Sequence, residues 1–182
     1  VSNTGGHLSS NLGVVDLTIA LHKVFDTPKD KIIFDVSHQC YTHKILTGRA
    51  KNFNKLRQLD GLSGFQKKEE SIHDVYEAGH SSTSISAALG FLEAKEENPE
   101  SIGEVVSIIG DASVTNGLCF EALNYLAAKT NQKMIIIIND NNIPQEISSF
   151  SPECFSRKTQ LKEVISKMKV KCSKNNVLNN KL

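Results

Sequence analysis

Residues 104–113 read EVVSIIGDAS, a short apolar run that passes directly into a glycine and then into polar side chains. Residues 134–138, MIIII, have the same character and run into NDNN at residues 139–142, and residues 31–36, KIIFDV, form a third run of this kind. Short, β-branched apolar runs are typical of buried strands. The sequence therefore predicts three strands that are covered on both faces, which favours a parallel sheet.

Apolar residues at helical spacing surround the predicted strands. The pattern predicts one helix before the first strand, one between the first and second strands, and one between the second and third. The residues that define these faces are Val14, Leu17, Leu21 and Val24, then Ile85, Ala88, Leu89 and Leu92, then Leu118, Ala122, Tyr125 and Leu126. Strands that alternate with helices indicate the α/β class, so we expect a doubly wound parallel sheet with helices on both faces.

The overall composition excludes some classes of partner. The chain has 182 residues, a formal net charge of +1 and a hydrophobic share of 39%. These values suit a folded domain, and the near-neutral charge gives no reason to expect nucleic acid as a partner. The longest apolar run, residues 134–138, is far shorter than the roughly 20 residues of a membrane span, so no membrane partner is expected.

Charge is unevenly distributed along the chain. Residues 1–150 hold 13 Lys and Arg against 18 Asp and Glu, whereas residues 151–182 hold 8 against 2 and contain no glycine. We interpret residues 1–150 as the folded, ligand-binding domain. Residues 151–182 are interpreted as a divergent basic tail that is partly disordered.

Two of the predicted strands end in polar clusters. Asp111 follows the strand at residues 104–109, and Asn141 follows the strand at residues 134–138. If the two strands are neighbours, both side chains lie at the carboxyl edge of the sheet, where α/β proteins bind ligands. Carboxylate and amide oxygens suit Mg²⁺, and the helix predicted from residue 115 or 116 directs its N–H groups to the same place. The alternative, that Asp111 caps a helix and residues 139–142 form a turn, stays open from the spacing alone.

Three histidines stand in loops of small residues, namely His7, His38 and His80. Imidazole can donate to phosphate or transfer protons near neutral pH, so these histidines are candidate site residues. Residues 79–83, GHSST, also open a predicted helix and are a second candidate anion-binding turn. Ser82 or Thr83 is equally suited to a plain N-cap.

Several long strings of sequence carry a family resemblance. They are TGGHLSSNLGVVDLTIALHKVFDTPKDKIIFDV at residues 4–36, HKILTGR at 43–49, GLSGF at 61–65, GHSSTSISAALG at 79–90 and FEALN at 120–124. Over roughly residues 1–141, the chain resembles 1-deoxy-D-xylulose-5-phosphate synthase, within the transketolase-like thiamine-diphosphate enzymes. The resemblance implies the thiamin diphosphate-binding fold, with this chain as the diphosphate-binding domain.

The resemblance also implies cofactors and site residues. Asp111 and Asn141 match Mg²⁺ ligands, with the backbone carbonyl near Ile143 as the third, and His7 matches a catalytic histidine that faces the substrate. The positions that match the lining of thiamine diphosphate are His38, Gly79, His80, Ser81, Asp111, Ala112, Ser113 and Asn141. The implied reaction condenses pyruvate with glyceraldehyde 3-phosphate with loss of carbon dioxide, for isoprenoid precursor and thiamine biosynthesis.

The chain departs from the family pattern at identifiable positions. Ala112 stands in the third position of the family's G-D-G motif, and Ser37 stands where the family has glycine in D-V-G-H. If the third position of G-D-G requires φ > 0, alanine costs on the order of 1–2 kcal/mol there. The segment between Asp111 and the run at residues 139–141 is one residue longer than in the family pattern.

The resemblance leaves alternatives to a complete synthase. In the family, a second domain supplies the glutamate that activates the cofactor, and no segment of these 182 residues matches it. We therefore expect the chain to be inactive alone. The alternatives are the N-terminal half of a split transketolase and a degenerate, non-catalytic remnant. A homodimer and a cytoplasmic or plastid location are further expectations from the family.

Overall fold

The computed structural model describes residues 1–128 and 133–140. Asn141, Ile143 and the predicted tail at residues 151–182 lie outside this range. The α-helices of the described residues are α1 (Leu8–Leu12), α2 (Val15–Val24), α3 (Tyr41–Lys44), α4 (Ser84–Glu97), α5 (Asp111–Val114) and α6 (Gly117–Ala128). The strands are β1 (Lys31–Phe34), β2 (Val105–Gly110) and β3 (Ile135–Asn139). A π-helical turn (Ile45–Arg49) and a 3₁₀ helix (Ala50–Lys55) follow α3.

The three strands form one parallel sheet in the order β1-β2-β3. Lys31 pairs with Val105, and Gly110 pairs with Asn139 at the carboxyl ends of β2 and β3. Each crossover between neighbouring strands contains a helix, as parallel pairing requires. The predicted strands and their parallel arrangement are therefore confirmed.

Helices cover both faces of the sheet. Ile32, Phe34, Val106 and Ile108 point to one face, where they pack with Leu21 of α2. Ser107 points to the opposite face, because side chains alternate along a strand, and its Oγ lies 3.1 Å from Ser84 Oγ in α4. The predicted α/β fold class, with helices on both faces, is confirmed. Within the described residues, no helix is long and apolar enough to span a lipid bilayer.

Two details of the predicted elements differ from the structure. The first strand ends at Phe34, because Val36 and Ser37 have left-handed backbone conformations with φ of 59° and 65°. In α6 the buried residues include Cys119, Ala122 and Leu123, whereas the predicted face members Leu118 and Tyr125 are 56% and 44% exposed. The buried stripe is rotated because α6 packs against α4, which the spacing of apolar residues does not reveal.

A long irregular segment, residues 56–83, connects the 3₁₀ helix to α4 and is held by buried ionic contacts. The buried ion cluster consists of Lys44, Arg49, Glu70 and Asp74. Arg49 donates to both Asp74 oxygens, at 2.6 and 2.8 Å, and Lys44 Nζ lies 2.5 Å from Glu70 Oε2. These contacts fix the irregular segment to the turn that follows α3. The candidate turn at residues 79–83 forms the end of this segment.

A pair of histidines extends the cluster toward the surface. His43 Nε2 lies 2.9 Å from Asp74 Oδ1, and His43 Nδ1 lies 2.9 Å from His22 Nε2. Burial lowers the pKa of His43 despite the opposing effect of Asp74. With His43 neutral, Nε2–H donates to Asp74 and Nδ1 accepts from His22 Nε2–H. For Asp74, burial alone would raise the pKa, but the hydrogen bonds from Arg49, His43 and the Lys67 N–H hold it well below its usual range.

We expect stability to fall in weakly acidic solution because of His22. Burial, and secondarily the neighbouring His43 and His73, lower the pKa of His22 from 6.5 to about 4. The unfolded chain therefore takes up a proton below about pH 6.5 that the folded chain does not, and stability is lost between about pH 6.5 and pH 4. His22 is only half-buried, so solvent screening reduces the loss to about 1–2 kcal/mol.

Thermal unfolding across this pH range measures the effect. His22→Gln keeps a donor for His43 and flattens the decline in melting temperature. His80→Gln, at an exposed position, is the matched control. An equally steep decline in the wild type and in His22→Gln would show that His22 is not the responsible group.

Candidate functional site at the carboxyl edge of the sheet

The carboxylate of Asp35 accepts hydrogen bonds from the backbone at the N-terminal end of α4. Asp35 directly follows β1 and is 1% exposed. Its Oδ2 accepts from the N–H of Ser82 at 2.9 Å, and its Oδ1 accepts from Thr83 and Ser84 at 3.1 Å each. An internal anion therefore already uses the donors that this helix start offers. Anion binding by the turn at residues 79–83 therefore cannot use the N–H groups of Ser82, Thr83 and Ser84, and it stays a prediction.

The alternative prediction of an N-cap at Ser82 or Thr83 is confirmed for Thr83 in its position only. Thr83 is the N-cap residue of α4, but no side-chain capping bond is made there. The Thr83 hydroxyl instead donates to the carbonyl of His80, at 3.2 Å. Gly79, His80 and Ser81 are exposed ahead of the helix. Their role in cofactor binding stays a prediction.

Ser82 joins the turn at residues 79–83 to the turn that carries Asp111. Its hydroxyl donates to the backbone carbonyl of Ser113 at 2.7 Å. Ser82 is fully buried and has a φ of 71°, so this contact is made from a left-handed backbone position. Two of the predicted cofactor segments, residues 79–81 and 111–113, are therefore neighbours in the fold.

Asp111 begins α5 directly at the end of β2. Its carboxylate is half-buried, and no side-chain capping bond is made at the start of this helix. The helix-cap alternative for Asp111 is therefore not supported. Because Gly110 pairs with Asn139, the residues that follow β2 and β3 leave the sheet at the same edge. Asn141 lies just outside the described residues, so its pairing with Asp111 stays a prediction.

Ala112 is accommodated without backbone strain. It lies within α5, and it is absent from the positive-φ positions of the described chain. The conditional cost of 1–2 kcal/mol expected for alanine in this motif does not arise, because the position is helical. The predicted helix start near residue 115 or 116 is close to the observed one, since α6 begins at Gly117 and Asn116 Oδ1 accepts from the Leu118 N–H at 3.0 Å.

His7 and His38 meet although they are distant in sequence. Their ring centroids are 5.1 Å apart, with the rings edge to face. His7 is exposed, whereas His38 is partly buried and its Nδ1 has no hydrogen-bond partner within residues 1–128 and 133–140. Burial, and then the nearby His7, lower the pKa of His38, while Asp35 acts in the opposite direction. In the part of the chain that is described, ring contacts join His7 to His38 but not to His80.

The glycine before His7 is fixed by its surroundings. Gly6 has a φ of 141°, and a Cβ atom placed there would lie 2.6 Å from the hydroxyl oxygen of Tyr41. Only glycine fits this close approach in this conformation. The backbone that presents His7 is therefore defined by contact with α3.

The metal and catalytic predictions have the same outcome. No group of three or more His, Cys, Asp or Glu side chains suited to a metal ion occurs in residues 1–128 and 133–140. The predicted ligand set combines Asp111 with Asn141 and the carbonyl near Ile143, and two of these lie outside that range. The Mg²⁺ site therefore stays a prediction, as does the catalytic role of His7.

Sequence reasoning missed three residues that organise this site. Asp35 was interpreted as part of a strand, although a carboxylate at the end of an apolar run is a signal of a special role. Asn11 and Ser82 are buried, and their side chains donate to distant backbone carbonyls. No local pattern marks these contacts, because their partners are distant in sequence.

Comparison with known proteins decides the family. The sequence profile described as 1-deoxy-D-xylulose-5-phosphate synthase matches residues 1–181. The chain belongs to the 1-deoxy-D-xylulose-5-phosphate synthase family. The match extends beyond residues 1–141, the range that the quoted motifs covered.

Curated relatives agree with this assignment to the synthase family. The 1-deoxy-D-xylulose-5-phosphate synthase of Desulfitobacterium hafniense is 56% identical over 153 residues, which are 83% of this chain and 24% of that protein. The synthase of Macrococcus caseolyticus is 62% identical over 141 residues, 77% of this chain and 22% of that protein. The synthase of Syntrophus aciditrophicus is 51% identical over 166 residues, 91% of this chain and 24% of that protein. The chain thus spans about a quarter of the length of these relatives.

One departure from the synthase family pattern is visible in the backbone. Ser37 occupies a position with a φ of 65°, which glycine adopts more readily than serine. The Ser37 hydroxyl accepts from the backbone N–H of Gln66 at 3.0 Å, a contact that glycine cannot make. The hydrogen bond to a buried N–H offsets part of the backbone cost of serine.

Proposed function

We propose that this chain is the thiamine-diphosphate- and Mg²⁺-binding part of a 1-deoxy-D-xylulose-5-phosphate synthase. The proposed reaction condenses pyruvate with glyceraldehyde 3-phosphate. The observation that carries the proposal is the shared edge of β2 and β3, where Gly110 pairs with Asn139 and Asp111 follows directly. Hard oxygen ligands at such an edge suit Mg²⁺ bound to a diphosphate.

The residues present fit the proposed cofactor. His38 Nδ1 is buried without a partner among the described residues, so a polar ligand group is free to satisfy it. The two turns that carry Gly79–Ser81 and Asp111–Ser113 are joined by the Ser82 hydrogen bond, which supports their assignment to one binding site. Asp111, Asn141 and the carbonyl near Ile143 would hold the metal ion.

This chain's own groups have limited tasks in the proposed reaction. Thiamine diphosphate, when bound, supplies the carbanion chemistry. His7 is exposed beside His38 and is suited to exchange a proton with the substrate. Asp35 holds the start of α4 in place, so the turn at residues 79–83 is preorganised.

The remaining proposals concern the whole protein. We propose residues 1–150 as the cofactor-binding domain and residues 151–182 as a divergent basic tail. No segment of these 182 residues matches the one that carries the family's activating glutamate, so we propose that the chain is inactive alone. A homodimer and a cytoplasmic or plastid location are proposed from the family.

A chimeric enzyme tests the proposed function. The 153 residues of this chain that align with the Desulfitobacterium hafniense synthase replace the matching segment of that enzyme, and product formation from pyruvate and glyceraldehyde 3-phosphate is measured. We expect activity that depends on thiamine diphosphate and Mg²⁺, and loss of that activity in the Asp111→Asn chimera. The unaltered synthase and the folded state of each chimera serve as controls.

Two results would contradict the proposal. A folded chimera without activity, beside an active unaltered synthase, would favour a degenerate segment. Activity with a ketose phosphate donor in place of pyruvate would favour the split-transketolase alternative.

A further inference from the structure

The side chain of Asn11 connects three separate points of the candidate site. Its Nδ2 group donates to the backbone carbonyl of His7 at 2.7 Å and to the backbone carbonyl of His38 at 2.8 Å. Its Oδ1 accepts from the backbone N–H of Tyr41 at 2.8 Å. Both amide hydrogens and the amide oxygen therefore have partners.

This arrangement leaves little freedom to the amide. Asn11 is 5% exposed, so an unmade hydrogen bond is not replaced by solvent and costs about 1–3 kcal/mol. The two carbonyls belong to different loops, one before α1 and one after β1. Only asparagine or glutamine carries two donors and an acceptor on one planar group, and glutamine is one methylene too long for this geometry.

The consequence is a fixed spacing between two functional candidates. The residues whose carbonyls Asn11 joins are the two histidines whose rings meet at 5.1 Å. Asn11 touches neither ring, and it acts on the backbone from which each ring projects. The helix α1 that carries Asn11 has five residues, so its position depends on such tertiary contacts.

We propose that Asn11 is a positioning residue that holds the His7 and His38 rings at the spacing required by substrate and cofactor. The functional part of this statement rests on the proposed function, in which His7 faces the substrate and His38 faces thiamine diphosphate. The structural part is independent of it. Loss of the two Nδ2 donors lets the loops move apart, and the rings separate.

Nuclear Overhauser contacts between histidine ring protons test the proposal in the 182-residue chain without ligand. Asn11→Asp keeps the acceptor for the Tyr41 N–H but loses both donors, and at about pH 8 its carboxylate is charged. We expect the wild type to show contacts for His7–His38 and for His22–His43, whose centroids are 5.0 Å apart. Asn11→Asp loses the first contact and keeps the second. Asn124→Asp, at an exposed position of α6, keeps both.

The possible results distinguish an error in the role of Asn11 from an error in the proposed function. A His7–His38 contact of wild-type intensity in Asn11→Asp overturns the proposal. If Asn11→Asp does not fold, solvent exchange of the Asn11 Nδ2 hydrogens in the wild type tests the proposal instead. Slow exchange supports the proposal. Exchange at the rate of a solvent-exposed amide overturns it. A wild type that shows the expected ring contacts but does not respond to thiamine diphosphate and Mg²⁺ would leave the role of Asn11 intact and refute the proposed function.

Discussion

Asp35→Asn lowers the free energy of unfolding by about 3 kcal/mol, because it weakens three hydrogen bonds of a buried carboxylate at once. The carboxylate accepts from Ser82, Thr83 and Ser84 and also places a negative charge at the N-terminal end of α4. An amide keeps one acceptor oxygen but turns an NH₂ group toward the remaining N–H donors. The loss therefore exceeds that of an ordinary helix cap, which is about 1 kcal/mol.

Thermal or chemical unfolding measures this loss. For a chain of this size, about 3 kcal/mol corresponds to a fall in melting temperature of about 6–12 °C. Asp16→Asn, in the first turn of α2 and exposed, is the matched control and costs less than about 1 kcal/mol. A loss in Asp35→Asn no larger than in Asp16→Asn would show that Asp35 does not anchor α4.

Asp74→Ala lowers the free energy of unfolding by about 4 kcal/mol, because it leaves buried positive charge without its partner. Arg49 loses a two-point contact, and His43 and the backbone N–H of Lys67 lose their acceptor. Lys44, which is fully buried, retains Glu70 as its one close anion among the described residues. The segment at residues 56–83 is then released from the turn that follows α3.

A double variant distinguishes charge from packing. Because Asp74 and Arg49 share one contact, Asp74→Ala combined with Arg49→Leu costs less than the sum of the single losses. Asp60→Asn, at an exposed position with a φ of 56° that asparagine tolerates, is the control and changes stability by less than about 0.5 kcal/mol. Strict additivity of the two single losses would contradict a direct ionic contact.

The sequence predicts the sheet well because the strands are marked locally. Runs such as residues 104–109 and 134–138 are short and largely apolar, which is typical of strands. β2 is buried as expected, whereas Ile135 and Ile138 of β3 are 40% and 38% exposed within the described residues. The spacing of apolar residues at 85–92 likewise locates α4, because a helix that packs on the sheet repeats its buried side chains every three to four residues. The exposed position of Tyr125 was not predictable, because the orientation of α6 depends on its contact with α4.

The place of Asp111 was predictable because it follows a predicted strand directly. Asp111 follows β2, so its place at the sheet edge is a consequence of the strand pattern alone. The occupied N-terminus of α4 was not predictable, because the anion there is Asp35, which lies 47 residues before Ser82. Asn11 acts on His38 across 27 residues, a contact that no local pattern encodes.

The effect of thiamine diphosphate and Mg²⁺ on the unfolding of this chain tests most directly whether the carboxyl edge holds a metal-bound diphosphate. Wild type and Asp111→Asn are unfolded with both ligands, with each alone and with neither. At about 100 times the dissociation constant, both ligands together add about 2.7 kcal/mol to the stability of the wild type, and the variant shows little gain. An equal gain in both proteins, or no gain in the wild type, would contradict a metal-bound diphosphate at this edge.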